Sequence, residues 1–275
     1  MGNTYFTADL HLGHEKVAGI RGYKDVAAHD SDIIGTLMYS GLRPRDTLWI
    51  LGDIMGKGSD RDHALEMLGQ VVRETGVTLR LVSGNHDTSA SMHRRAHREV
   101  PKYYPVFDSV QDFARIRHNN RDVLLSHFPY QGSGDRGASE RYAQYRLPNM
   151  GLPLIHGHTH QDSPTVVHRP NQVCVSWDAW GRVASLDEVM KMLNPFGLPM
   201  RPTDSVTDTA SEVVKDLRAM TINEVSPLVK AVGRFDPFQK TRWVASYLGA
   251  PLRVTKAEAI QDFIDWYHEQ TKLEA

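Results

Sequence analysis

Between Thr4 and His160, short apolar runs repeatedly stop dead at clusters of Asp, His, Asn and Gly, and no other feature constrains the fold as tightly. Residues 4–8 stop at Asp9-Leu10-His11, residues 47–51 at Gly52-Asp53, and residues 78–82 at Ser83-Gly84-Asn85-His86-Asp87. Residues 122–125 run into Ser126-His127, and residues 152–155 into His156-Gly157-His158-Thr159-His160. Apolar runs of this length, bounded by turn formers, read as buried strands. Two amphipathic stretches separate the first three. Residues 30–39 place Ile33, Ile34, Leu37 and Met38 at helical spacing, with Ser31 as the expected N-cap. Residues 60–74 put Ala64, Leu65, Leu68, Val71 and Val72 on one face.

After residue 87 the texture changes. Residues 113–117 and 122–125 flank the turn-forming His118-Asn119-Asn120 and read as a hairpin; residues 166–168 and 172–176 flank Arg169-Pro170-Asn171 and read as a second. Strand–helix units followed by hairpins predict an α/β fold built on two mixed sheets, with each cluster in a loop just past a strand, where open α/β sheets bind ligands. Pro195, Pro199 and Pro202 punctuate an irregular stretch, which sets the expected boundary: a catalytic domain over 1–195 and an extension over 196–275. Helical patterns alone are read in that extension, over residues 210–220, 222–232, 237–248 and 256–266.

Composition excludes several classes. With 275 residues, 40% hydrophobic, 24% charged and a formal net charge of −1, the chain is neither disordered nor covered by a polyanion-binding surface. The single cysteine, Cys174, calls for no oxidising compartment. The N-terminus shows no signal peptide, Phe6 stands where a myristoylation signal needs Ser or Thr, and no apolar stretch is long enough to span a membrane. The expectation is a cytoplasmic protein.

The clustered residues are the oxygen and imidazole ligands of Mn, Fe or Zn, without the thiolates of a structural zinc site. Asp9 and His11 lie two apart, as do His158 and His160, so on a continuing strand each pair would share a face. Two such pairs plus a carboxylate able to bridge are what a dinuclear site requires.

At these residues the chain closely resembles the calcineurin-like metallophosphoesterases, whose blocks D-x-H, G-D, G-N-H-[DE], a later His and G-H-x-H all occur here in order. The resemblance implies a four-layer αββα sandwich and two divalent metal ions, Mn favoured, with Fe, Zn, Co and Ni also compatible. It implies a first ion held by Asp9, His11, Asp53 and His160, and a second by Asp53, Asn85, His127 and His158. His86 would act as general acid with Asp87 orienting its ring, and a metal-bridging hydroxide would attack phosphorus.

Several further residues are open to more than one reading. His14 shares the Asp9 loop and is a candidate catalytic residue, though a backbone-bonded loop histidine fits equally well. His156 reads as a buried neighbour in preference to a ligand, Trp177 and Asp178 as core in preference to site rim, and Arg94, Arg95 and Arg98, among His93 and His97, as a solvated helix face in preference to a polyanion-attracting cluster. Lys57 does not complete a phosphate loop.

The block Ile54-Met55-Gly56 after Gly52-Asp53, and Asp87 in place of Glu, depart from the phosphoprotein phosphatase branch. The resemblance then favours small diesters such as 2′,3′-cyclic nucleotides. The alternatives are an SbcD-type DNA nuclease, which residues 7–13 resemble, a phosphomonoesterase, and a non-catalytic metal-bearing scaffold. The end of the chain loosely resembles helical nucleic-acid modules of the SAP type. There Lys256 and Lys272 face Glu258, Asp262, Asp265, Glu269 and Glu274, a balance that favours packing or homo-oligomerisation over nucleic acid.

Overall fold

The computed structural model describes residues 2–56, 60–135, 139–165 and 171–193, with the backbone of 229–232 and 242–245. The chain divides into two compact units, Met1–Gly197 and Leu198–Ala275.

In the first unit the elements run β1 (Thr4–Thr7), α1 (Glu15–Ile20), α2 (Val26–Tyr39), β2 (Thr47–Ile50), α3 (Arg61–Thr75), β3 (Thr78–Val82), α4 (Ala96–Glu99) and β4 (Ser109–Gln111). They continue through β5 (Phe113–His118), β6 (Arg121–Ser126), β7 (Leu154–His156), β8 (Gln172–Cys174), α5 (Trp177–Trp180), β9 (Ala184–Ser185) and α6 (Leu186–Leu193). Both sheets are mixed. One has the order β4-β3-β2-β1-β9, parallel except for β9; the other has the order β5-β6-β7-β8, parallel except for the β5–β6 hairpin. The two meet just past their strand ends, where Ala8 bridges Ser176 and the Trp177 N–H donates to the Ala8 carbonyl at 2.8 Å.

Burial on both faces explains the apolar runs. Leu48, Ile50, Leu79 and Leu81 pack with Ile33 and Leu37 of α2 and Leu65 and Leu68 of α3, while the alternate residues Phe6, Trp49 and Val82 are buried outside that cluster. Strands enclosed on both sides need a layer on each, which is the αββα arrangement. The hairpin turns at Asn119 and Asn120, both at positive φ (48° and 62°), as a two-residue turn between twisted strands requires.

Two expectations change, at the start of the second helix and in the extension, and a third, the second hairpin, lies partly outside the described residues. The helix expected from residue 30 begins at Val26, where the Asp25 carboxylate, and not Ser31, caps it by accepting from the Ala28 N–H. Its early turns bury His29 and Asp30, so no apolar stripe marks them. β8 pairs in parallel with β7, and its expected hairpin partner at 166–168 lies outside the described residues. In the extension the described segments are an antiparallel pair, β10 (Val229–Val232) and β11 (Arg242–Ala245), in place of the expected helices. Short runs rich in Val and Trp satisfy either period, and pairing decides between them. The other helical patterns lie outside the described residues. Among the described residues no helix is long and apolar enough to cross a membrane.

Candidate metal centre

Every cluster leaves the C-terminal end of a strand: Asp9 and His11 follow β1, Asp53 follows β2, Asn85 to Asp87 follow β3, His127 follows β6, and His158 and His160 follow β7. The loops run so close together that side chains are excluded at the crossings. A Cβ on Gly52, at φ +88°, would sit 2.5 Å from His127 Nδ1 and 2.6 Å from the Gly84 Cα.

Neither D-x-H nor H-x-H continues a strand. Asp9, His11, Asp53, His158 and His160 all adopt left-handed backbone (φ 59°, 52°, 54°, 69° and 44°), so turns and not a shared strand face bring each pair together. Non-glycine residues pay a conformational cost there, and such strain concentrates at functional sites.

The side chains converge. His11 Nε2 and His160 Nε2 lie 3.0 Å apart, and the Asp9, His11 and His160 ligand atoms fall within 4.8 Å of one another, as do those of Asp9, Asp53 and His127. Asp53 Oδ2 stands between the two groups, 3.8 Å from His11 Nε2, 3.8 Å from His86 Nε2 and 3.5 Å from His127 Nε2. Asn85 Oδ1 lies 3.2 Å from His127 Nε2.

Each of three histidines has one ring nitrogen tied back, leaving the other for the centre. His160 Nδ1 meets Asp178 Oδ2 at 2.8 Å, His127 Nδ1 meets the Leu51 carbonyl at 2.8 Å, and His158 Nε2 meets Asp135 Oδ2 at 3.0 Å. Fixing one nitrogen through a carbonyl or carboxylate is how proteins orient imidazole ligands. Burial lowers the pKa of His11 and His127, and takes His158 to about 3, so these rings are neutral with a lone pair available. Asp9 and Asp53 are buried carboxylates (0% and 2% exposed) that cationic charge at this point would balance. Buried His11 Nδ1 has no hydrogen-bond partner. The donor set fits divalent cations.

His86 stands at the rim, and burial together with the neighbouring His127, His14 and His160 rings lowers it to about 4. Asp87 does not touch its ring, contrary to expectation. Its carboxylate accepts from the Asp53, Ile54 and Gly84 N–H groups at 2.8, 3.0 and 2.7 Å, which clamps two ligand loops together. His14 caps α1 with its ring centroid 5.5 Å from that of His11 and its buried Nδ1 without a hydrogen-bond partner. His14 is a helix-start residue with its backbone bonded to His11 and Ala18, and its ring faces the cleft beside His11.

Asp178 is more than core. It accepts two bonds from Arg21, at 3.0 and 2.9 Å, as well as the one from His160; burial alone would raise its pKa, but these bonds hold it well below the usual carboxylate range. Arg21 also donates to the Asp9 carbonyl at 2.7 Å. Asp135, Arg21 and Arg141 were not singled out from sequence, since they sit in no block and meet the centre only through tertiary contacts. His156 is a buried neighbour, its Nδ1 2.8 Å from the Gly157 carbonyl, and Trp177 is buried. Lys57 lies outside the described residues.

Two clefts share His86. One, about 570 Å³, is walled by His11, His14, Ile20, His160 and Trp177; the other, about 770 Å³, by Asn85, His93, Arg94, Arg95 and Tyr142. Arg98 is exposed on α4 as expected, whereas Arg94 and Arg95, also exposed, precede the helix and line this second cleft.

Fold and centre together define an α/β protein of the metal-dependent phosphoester-hydrolase class. The family model of calcineurin-like phosphoesterase matches residues 2–162. The Gene 66 protein of Mycobacterium phage L5 is 42% identical over 206 residues, covering 70% of this chain and 95% of that protein. A symmetrical bis(5′-nucleosyl)-tetraphosphatase of Hamiltonella defensa is 25% identical over 138 residues, 44% of this chain and 49% of its own. A protein of unknown function from Aquifex aeolicus shares the fold, with a TM-score of 0.53 at 24% identity, over 70% of this chain and 100% of that one. The chain belongs to the calcineurin-like phosphoesterase family, whose members typically bind divalent metals and hydrolyse phosphate esters.

Proposed function

We propose that this protein is a dinuclear-metal phosphodiesterase acting on small diesters, 2′,3′-cyclic nucleotides among them. Asp9, His11, Asp53 and His160 would hold one ion, and Asp53, Asn85, His127 and His158 the other, with Mn²⁺ among the ions that serve. When bound, the ions supply Lewis acidity toward the phosphoryl group and a nucleophile at neutral pH. Asp178, Asp135 and the Leu51 carbonyl keep His160, His158 and His127 aimed at the centre. Asp87 holds the Asp53 and Asn85 loops in register from behind.

His86, at the rim of the centre, would touch the scissile phosphate and give a proton to the departing oxygen. At a pKa of about 4 it is neutral in the free site, and an arriving anionic phosphoryl group favours its protonated form. His14 lies beside it, with ring centroids 6.4 Å apart, as a second hydrogen-bonding group for the phosphate or leaving group.

The observation that carries the diester reading is the pair of clefts meeting at His86. A phosphorus atom at the centre has room for a substituent on each side, which a monoester does not use. The similarity to a bis(5′-nucleosyl)-tetraphosphatase supports a second reading, hydrolysis of a phosphoanhydride, which is also substituted on both sides of the reacting phosphorus. Turnover of nitrophenyl phosphate, bis(nitrophenyl) phosphate, a 2′,3′-cyclic nucleotide and a dinucleoside tetraphosphate, each with Mn²⁺, Zn²⁺, Co²⁺ or Ni²⁺, tests both. The diester reading expects the second and third to be fastest; a preference for the monoester contradicts it.

A further inference from the structure

The two clefts differ in charge. On the His160 side, Val17, Ile20 and Trp177 are apolar, Ile20 is 73% exposed, and the cations Lys16 and Arg21 are matched in number by Asp162 and Asp178, the latter paired with Arg21. On the Asn85 side, the acidic residue in the lining is Glu99, and its carboxylate is already engaged by Arg61 and by Lys102 at 2.8 Å. Arg94 and Arg95 are exposed and, among the described residues, have no acidic partner.

These two arginines are presented by an anchored segment. His93 Nε2 is 3.0 Å from the Asn85 carbonyl, the Ser91 N–H donates to Asp112 at 2.9 Å, and the His93 and Ala96 N–H groups close successive turns at 2.9 and 3.0 Å. Ala90 and Ala96 are buried beneath it. The segment is thereby fixed to the loop that carries Asn85 and His86. Two guanidinium groups without an acidic partner among the described residues, on a pre-organised wall of the cleft that Tyr142 also lines, form a receptor for a phosphate-type oxyanion.

We propose that one substituent on the reacting phosphorus carries a second phosphate, and that Arg94 and Arg95 bind it in the Asn85-side cleft, while the opposite cleft takes an uncharged substituent. The inference rests on the phosphoester-hydrolase reading of the centre and narrows its substrate class. The second phosphate has two chemical sources, a phosphate elsewhere on a nucleoside or the next phosphate of an anhydride chain.

The test is calorimetric binding of AMP, ADP and adenosine 3′,5′-bisphosphate to the full-length, Mn²⁺-loaded protein, compared with Arg94→Gln/Arg95→Gln. At least one doubly phosphorylated nucleotide binds the wild type about 10-fold or more tighter than AMP. The bisphosphate points to the first source and ADP to the second. The preference falls to about one in the Gln variant and returns in Arg94→Lys/Arg95→Lys, which keeps the charge. Equal affinities for all three nucleotides in the wild type, no binding of either doubly phosphorylated one, or a preference that survives in the Gln variant overturns the inference. Turnover reads the underlying reaction separately. A hydrolase without the preference sinks only this proposal, and the preference in a protein that hydrolyses no phosphate ester sinks only the hydrolase reading.

Discussion

The two halves of the centre are supported differently. On the His160 side the support comes from the core: Asp178 of α5 holds His160, and Arg21, just past α1, ties Asp178 to the Asp9 and Leu10 carbonyls and to His29 of α2. On the His158 side it comes from the connection between β6 and β7. There Asp135 holds His158 and is itself held by Arg141 at 2.9 Å and by the buried Arg146 at 2.8 Å. One histidine is therefore oriented by regular elements and the other by a salt-bridged loop, although both come from a single tetrapeptide. A ligand motif of four residues fixes which atoms bind but not what keeps them rigid. That is supplied from far along the chain, and it differs between neighbours.

Removing the residue that both halves share has the largest effect. Asp53 Oδ2 faces both groups, so Asp53→Asn lowers kcat/KM by roughly 10³-fold or more, the loss of several kcal/mol of charge stabilisation. Steady-state assay on the best diester of the panel checks it, and an Asp53→Asn protein within tenfold of wild type would show that the two halves work independently.

His86→Ala comes next, and its cost depends on the leaving group. An alkoxide needs protonation as it departs, whereas nitrophenolate does not, so the cyclic-nucleotide rate falls by an excess of about 10²–10⁴-fold over the nitrophenyl diester rate. Equal losses for both substrates assign His86 to phosphate positioning instead.

The smallest effects separate the supports themselves. Asp178→Asn and Asp135→Asn each weaken metal binding by about 10–100-fold, the former acting through His160 and the latter through His158. Each change also takes a carboxylate away from arginine, Arg21 in Asp178→Asn and Arg141 with the buried Arg146 in Asp135→Asn, so the two losses are of similar size and differ in which histidine they release. Metal titration of each variant resolves a tight and a weakened site. Uniform weakening of both sites by either change would break the distinction between core-held and loop-held halves.

Much of the candidate site was legible because its residues sit in blocks at strand ends, where sequence alone places Asp9, His11, Asp53, Asn85, His86, His127, His158 and His160. Their geometry was not. A spacing of two suggested a shared strand face, whereas left-handed turns do the work, and only the flanking glycines hint at that. Asp87 sits next to His86 in sequence, yet its carboxylate turns inward to three backbone N–H groups, a choice set by loops from other strands. Asp178 and Asp135 were invisible as partners because the bonds they make span 157 residues to Arg21 and 23 to His158. In the fold, the apolar strands and α3 follow from periodicity. The start of α2 does not, because His29 and Asp30 are polar residues buried by their own hydrogen bonds, with each other and with Arg21, His63 and Gly13.

Metal content per chain tests the central claim most directly. Wild type, His86→Ala and Asp53→Asn would each be equilibrated with Mn²⁺, freed of loosely held ions and analysed by elemental mass spectrometry against protein concentration. The account predicts two ions per chain in wild type and in His86→Ala, and fewer than one in Asp53→Asn. Two ions retained in Asp53→Asn, or ions lost from His86→Ala, would contradict it.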